Sequence, residues 1–261
     1  MSIGFNKLGK LGRLGNQMFQ YASLRGIASH RGFDFKIPPS DFKDEWKDHQ
    51  LLNAFQMKKN INIGVCDGHY VKESHFHFDK NLFDHMPDGR NLLGYFQTAK
   101  YFEHIEEEIR KDFLFKRSID RSCKKIINSL NDPIALHVRR GDYLKNAENH
   151  PPCPKEYYDT ALAKFDKSRM VIIFSDDPEW CKSEFRDDRF IISEEKDNLK
   201  DLCTMSHCTD FIIANSSFSW WGSWLSENSN KKIIAPKKWF GTGYTATHDT
   251  SDLYCDNWEV I

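Results

Sequence analysis

At 261 residues, 39% hydrophobic and 29% charged, the chain can bury one large core or, more naturally, two modest ones. Seven tryptophans and twenty phenylalanines exclude a disordered chain, and a net charge of −1 argues against general affinity for nucleic acid. The longest purely apolar runs, Met170–Phe174 and Phe211–Ala214, fall far short of the roughly 20 residues of a membrane span.

The start, Met1-Ser2-Ile3-Gly4-Phe5-Asn6, has neither the basic stretch nor the apolar core of a secretory signal, so a cytoplasmic location with reduced thiols is expected. Seven cysteines without a C-x-x-C pair read as small buried hydrophobes. The nearest approach to a metal set is Cys203, His207 and Cys208 on one predicted helix. No further pair completes four ligands at finger-like spacing, so no metal is expected. Residues 1–130 carry 21 Lys+Arg against 16 Asp+Glu, and residues 131–261 carry 16 against 22. Ordinary surface variation accounts for that asymmetry, and so does a first half that faces the anionic cytoplasmic surface of a membrane.

In chain order, a strand near Ile3–Asn6 leads through a glycine-rich turn into a helix from about Asn16 to His30 and a strand Phe33–Ile37. Residues 41–90 show no clear period. Asn91–Phe96 reads as a strand, and Tyr101–Phe113 and Ile119–Leu130 read as helices. The second half is plainer. Strands at Pro133–Val138, Met170–Phe174, Phe190–Ser193, Phe211–Ala214 and Lys231–Ala235 alternate with helices over Pro154–Lys167, Asp197–Cys208 and Ser219–Glu227. Continuous apolar strands separated by helices predict a parallel sheet covered on both faces. The expected domains are 1–131 and 132–261, two Rossmann-like halves with ligand held where strands end.

Gly9-Lys-Leu-Gly12-Arg-Leu-Gly15-Asn16-Gln17 joins strand to helix, as either a tight connection or an anion site, with Asn16 also suited to cap the helix. His137-Val-Arg139-Arg140-Gly-Asp142 sits where an apolar strand ends, and two arginines there suit bidentate recognition of phosphate. Extended geometry would put His137 and Arg139 on one side and Arg140 on the other. Asp176 and Asp177 end the next strand, and Ser216-Ser217-Phe218-Ser219 ends another and opens a helix. Those serines serve equally as helix caps or as donors to a diphosphate. Asp201, on the helix before that strand, has the chemistry to accept from guanine but alone reads as a solvated residue. Trp220, Trp221 and Trp224 read as packing.

Taken together, Gly12-Arg-Leu-Gly-Asn-Gln-Met-Phe-Gln-Tyr-Ala22, Gly94-Tyr-Phe-Gln97, His137-Val-Arg-Arg-Gly-Asp142, Phe174-Ser-Asp-Asp177 and Asn215-Ser-Ser-Phe-Ser-Trp-Trp-Gly222 resemble the bacterial α-1,2-fucosyltransferase family, in that family's order. The resemblance implies an α/β fold of GT-B architecture, with two Rossmann-like domains facing across a cleft, the first on the acceptor side and the second binding GDP-fucose. It implies transfer of L-fucose from GDP-L-fucose, with inversion and no divalent metal, to the 2-hydroxyl of a galactose-terminated glycan or lipid-linked oligosaccharide of lipopolysaccharide or capsule synthesis. It puts Arg139 on the donor diphosphate, supported by Arg140, with His137 near the nucleotide. Gly12, Gly15 and Asn16 then approach the phosphates from the first domain, and Asp201, Ser216, Ser217 and Phe218 surround guanine and phosphate. Asp176 and Asp177 match a pair without an assigned role. For a general base, His137, Asp142, Glu73, His75 and His77 are all open, the last two alternating along an expected strand. A binding module that has lost turnover, a different nucleotide sugar and a different fucosyl linkage are the alternatives.

Overall fold

Short apolar runs become the strands of two separate parallel sheets in the computed structural model, which describes residues 1–41, 43, 48–57, 61–245 and 247–261. The chain divides into two compact units, Met1–Lys116 with Thr247–Cys255, and Arg117–Ala246 with Asp256–Ile261. Both have the α/β build that the resemblance implied.

The first unit contains β1 (Ser2–Gly4), β2 (Asp34–Ile37), β3 (Asn62–Ile63), β4 (Tyr70–Lys72) and β5 (Asn91–Leu93), in the order β3-β2-β1-β5-β4. All its pairings are parallel. Between β1 and β2 runs α1 (Leu14–Arg31), ended by Gly32, with His30 and Arg31 complementing the helix dipole in the last turn. Gly26 of α1 lies so close to the turn at Ala99–Tyr101 that a Cβ there would stand 1.9 Å from the Tyr101 carbonyl oxygen. Short helices α2 (Leu51–Ala54) and α3 (Lys80–His85) lie in the stretch where the sequence shows no period. The rest of that stretch is partly outside the described residues.

Two expectations for this unit need correction. The strand at Asn91–Phe96 stops at Leu93, because Phe96 adopts a φ of +53° that no strand accepts. The helix expected over Tyr101–Phe113 breaks into two 3-10 turns followed by α4 (Glu106–Asp112). Phe102, fully buried, sits at φ −137° and ψ 2°, outside helical geometry, so its burial overrides the local helical pattern.

The second unit starts earlier than the expected boundary at 131/132. The helix α5 (Arg117–Ile127) belongs to it, packing through Cys123 on the helix at Asn198–Ser206. Its sheet holds β6 (Ile134–Val138), β7 (Val171–Ser175), β8 (Phe190–Ile192), β9 (Asp210–Ile212), β10 (Ile233–Ala235) and β11 (Glu259–Val260). The order β11-β10-β9-β6-β7-β8 is parallel throughout. From β6 the chain winds outward through β7 and β8, then returns to β9 on β6's other side. The strand order therefore reverses between β6 and β9, where open sheets of this kind bind ligands.

The helices are α6 (Lys155–Leu162), α7 (Pro178–Glu184), α8 (Asn198–Ser206), α9 (Ser217–Leu225) and the single turn α10 (Thr242–Thr245). Every residue of β6 is buried, and Ile134, Leu136 and Val138 share a core with Tyr157, Tyr158, Ile173 and Ile212. The Tyr157 hydroxyl donates to the carbonyls of Ile213 and Ile234 at 2.7 and 3.1 Å, so its ring is buried without a lost hydrogen bond. Trp220, Trp221 and Trp224 of α9 pack with Trp258, at ring separations of 5.0 to 6.2 Å. Each full burial of such a side chain contributes roughly 1.5–3 kcal/mol. Six of the seven cysteines are buried. Among the described residues, no helix is long and apolar enough to cross a membrane.

Candidate active site

Strand β6 ends where its buried run meets charge, and the next two residues carry the guanidinium groups. Arg139 reaches Asp176 Oδ2 through Nη1 at 2.9 Å and Asp142 Oδ1 through Nη2 at 2.5 Å, with its guanidinium 5.3 Å from the Tyr143 ring centre. Asp176 also accepts from the Arg140 backbone N–H at 2.8 Å, so one carboxylate from the end of β7 fixes both the main chain and the first arginine. Gly141 leaves the necessary room, since a Cβ there would lie 2.5 Å from Asp176 Oδ2.

Arg140 turns elsewhere. Its Nε donates to Asp177 at 3.0 Å, and its guanidinium lies 4.2 Å from the Trp180 ring centre. Asp177 also caps α7, accepting from Trp180 N–H. Asp176 and Asp177, without a role in the sequence, are thus holders of the two arginines. Both arginine side chains are 19% exposed, so neither is spread into solvent. Of the three carboxylates, Asp142 is the most exposed, at 58%, and can be displaced from Arg139 by an anion.

His137, two residues before Arg139, is buried where the strand ends. Its Nδ1 is 2.8 Å from Ser219 Oγ, and its ring is 5.6 Å from that of Phe218. Burial, reinforced by the Arg139 charge, pushes its pKa down to about 3, so the ring is neutral near pH 7. Ser216 is the residue before α9, and its Oγ accepts from Phe218 N–H at 3.4 Å. Ser217 and Phe218 are half-buried in the first turn of that helix. Thus β6 and α9 bring His137, Ser219 and Phe218 together at the reversal point.

Asp201 lies in the first turn of α8, accepting from Ser193 Oγ at 2.7 Å just past β8. Burial lifts its carboxyl to about pKa 6, despite that hydrogen bond. Sequence reasoning passed over Ser193, Tyr143, Trp180 and Asn215. Asn215 is buried and donates to the carbonyls of Pro151 and Trp239, while its own carbonyl accepts from the Tyr143 hydroxyl at 3.0 Å. Its place in the Asn215–Gly222 motif was the only available signal.

In the first unit, the glycine-rich turn does not follow the expected capping. Arg13, not Asn16, precedes α1, and Gly15 and Asn16 are already inside its first turn. Asn16 Oδ1 accepts from Gln97 Nε2 at 2.8 Å, joining the turn after β1 to the Gly94–Gln97 segment after β5. Gly12 has φ +90°, and a Cβ there would strike the Asn16 side chain. Gln20 donates to the carbonyls of Leu11 and Gly94, tying the same two segments.

Glu73 follows β4 and accepts from the backbone N–H groups of Tyr95 and Phe96 at 2.7 and 2.8 Å, with burial raising its pKa to about 7. The strand expected at His75 and His77 is absent, since β4 ends at Lys72. Their rings stack at 3.9 Å in the bend that follows.

A cationic strand end beside hydroxyl and backbone donors can neutralise a diphosphate and support negative charge that develops on it. Residues 2–261 match the family model described as glycosyl transferase family 11. The O-antigen biosynthesis glycosyltransferase WbnK of Escherichia coli is 28% identical, over 95% of this chain and 97% of that protein. An α-1,2-colitosyltransferase of Escherichia coli is 29% identical, over 88% and 90%. In fold, the chain is similar to POFUT1 crystallised with GDP, with a TM-score of 0.56 and 12% identity over 89% of this chain and 97% of that one.

Proposed function

The chain belongs to glycosyl transferase family 11, and on that premise we propose that it transfers L-fucose from GDP-L-fucose to the 2-hydroxyl of a galactose-type acceptor glycan, with inversion. The carrying observation is Arg139, fixed by Asp176 at the reversal point of a doubly wound sheet while its second nitrogen holds only the exposed Asp142. A donor diphosphate would take the place of Asp142. As the bond to the sugar breaks, negative charge grows on the departing phosphate oxygen, and the planar fork of Arg139 stabilises that state more than the intact donor. In this reading no divalent metal takes part, and once Asp142 is displaced the Arg139 guanidinium supplies the positive charge at the departing phosphate.

Arg140, locked between Asp177 and Trp180, supports the arrangement rather than touching the donor. Neutral His137 and the start of α9 would line the nucleotide pocket, and Asp201 would accept from guanine. The first unit would carry acceptor recognition. GDP-fucose as donor is supported by the POFUT1 fold, which has also been crystallised with that sugar nucleotide.

A second reading is transfer of colitose, favoured by the colitosyltransferase relative of comparable identity. Purified protein should be incubated with GDP-fucose or GDP-colitose and a panel of galactose-terminated acceptors, with GDP release followed and the product linkage determined by NMR. The proposal requires an α-1,2-fucosyl product and turnover that survives EDTA. Protection against thermal unfolding by UDP but not GDP would refute the donor assignment. GDP binding without release on any acceptor would indicate a binding module instead.

A further inference from the structure

Helices α5 and α8 of the second unit meet around a set of side chains that takes no part in the Arg139 arrangement. Asp120 comes from α5. Cys203 and His207, four residues apart, lie on one side of α8 and at its C-terminal end. One ligand atom from each falls within 4.8 Å of the other two. We propose that Asp120, Cys203 and His207 form a site for a thiophilic divalent metal of the zinc class, which clips α5 to α8.

The geometry is close to what such an ion needs. Tetrahedral zinc holds sulfur at ~2.3 Å and nitrogen or oxygen at ~2.0–2.2 Å, which spaces the donors about 3.5 Å apart. His207 Nε2 is 2.9 Å from Asp120 Oδ1, so small rotamer adjustments admit the ion between them. The other Asp120 oxygen is the one paired with Lys124, at 2.9 Å, which leaves Oδ1 for the metal.

Exposure falls in a useful order. Cys203 is fully buried at the floor, while the His207 and Asp120 side chains are 24% and 29% exposed at the mouth, giving an entry path and a fourth position for water. A sulfur, a nitrogen and an oxygen donor together disfavour magnesium and calcium, which take oxygen alone. The ion would add to a contact that already exists, since α5 packs closely along α8 with Cys123 buried and Ile119 and Ile127 half-buried. Cys208, the third residue of the sequence-based set, is excluded: its thiol donates to the Thr204 carbonyl, and Asp120 takes its place.

The test uses the full chain, reduced and stripped of metal, titrated with cobalt(II) and then zinc(II). One equivalent of cobalt should give a thiolate charge-transfer band and the intense visible bands of a tetrahedral ion, both lost on adding zinc. Zinc should raise the melting temperature by about 3 °C or more. Cys203→Ser should abolish the charge-transfer band, and Cys208→Ser, whose hydroxyl can keep the bond to the Thr204 carbonyl, should leave it. His207→Gln and Asp120→Asn, at partly exposed positions that tolerate change, should each weaken binding at least tenfold. Cobalt that remains octahedral, a band that survives Cys203→Ser or vanishes in Cys208→Ser, or affinity unchanged in His207→Gln would each overturn the assignment.

Discussion

Arg139 shows how little of a residue's role lies in its charge alone. Its two terminal nitrogens answer two different carboxylates, a geometry that an ammonium group does not reproduce. Arg139→Lys is therefore expected to lower kcat by roughly 100-fold or more while the melting temperature changes little, measured as GDP release from GDP-fucose. Near-parental turnover would sink that role. Asp201 permits a pH test. Burial lifts its carboxyl from 3.8 to about 6, so between those values the folded chain keeps a proton that the unfolded chain has released. The resulting stabilisation is complete below pH 3.8 and lost as pH rises through about 6. His137 runs the other way: pushed down from 6.5 to about 3, it adds stability above pH 6.5 that is lost as pH falls through about 3. Because the slopes oppose, the difference between variant and parent is the clean quantity. The urea midpoint of Asp201→Asn, relative to the parent, should climb between pH 4 and pH 7, and a difference independent of pH would contradict the buried carboxyl.

At the scale of elements, end chemistry and close approach decide more than pattern does. Helix α7 starts at Pro178 behind Asp177, whose carboxylate both caps the helix and holds Arg140. Asp177→Ala should cost about 1–2 kcal/mol in urea unfolding, and Asp177→Asn, which keeps the capping oxygen, about half as much. Equal losses would show that the cap is irrelevant. Gly26→Ala in α1 should be among the costly substitutions, about 3 kcal/mol or more, because its methyl would meet a backbone carbonyl that cannot rotate away. A melting temperature within a degree of the parent would contradict that packing. The strands of the second unit were legible because each is a continuous apolar run bounded by helix, and β6, β7, β8, β9 and β10 all lie where the runs are. Helix α7 escaped notice since Pro178–Glu184 has one buried residue, Cys181, and so no apolar period to detect. The two 3-10 turns before α4 were hidden for the opposite reason, an apparently helical period over residues that bury their rings in other ways.

For the whole molecule, neither unit is a single stretch of chain. Thr247–Cys255 returns to the first unit, where Leu253 is buried and Asp252 accepts from Phe78 N–H at 3.1 Å and pairs with Lys100. Asp252→Ala should lower stability by about 1–3 kcal/mol, as the part-buried Phe78 N–H loses its acceptor. Hydrogen exchange would locate the loss at residues 78–80 of the first unit, and loss confined to the second unit would refute it. The boundary expected at 131/132 failed on the same kind of contact, since α5 is assigned by what it packs against and not by the break in sequence before β6.

What the sequence determined by itself was chiefly local: the parallel α/β class, the core strands of the second unit, and the chemical type of residue at each strand end. Burial patterns and turn residues act over a few positions, and five motifs in order carry the family resemblance. Tertiary structure alone decided that Asp176 and Asp177 hold Arg139 and Arg140, each 37 residues away in the chain, that Glu73 supports the backbone after β5, and that Asp120 meets Cys203 and His207. The physical reason is that hydrogen bonds and ion pairs act across angstroms of space, while their partners' distance along the chain is set by how the intervening strands and helices stack.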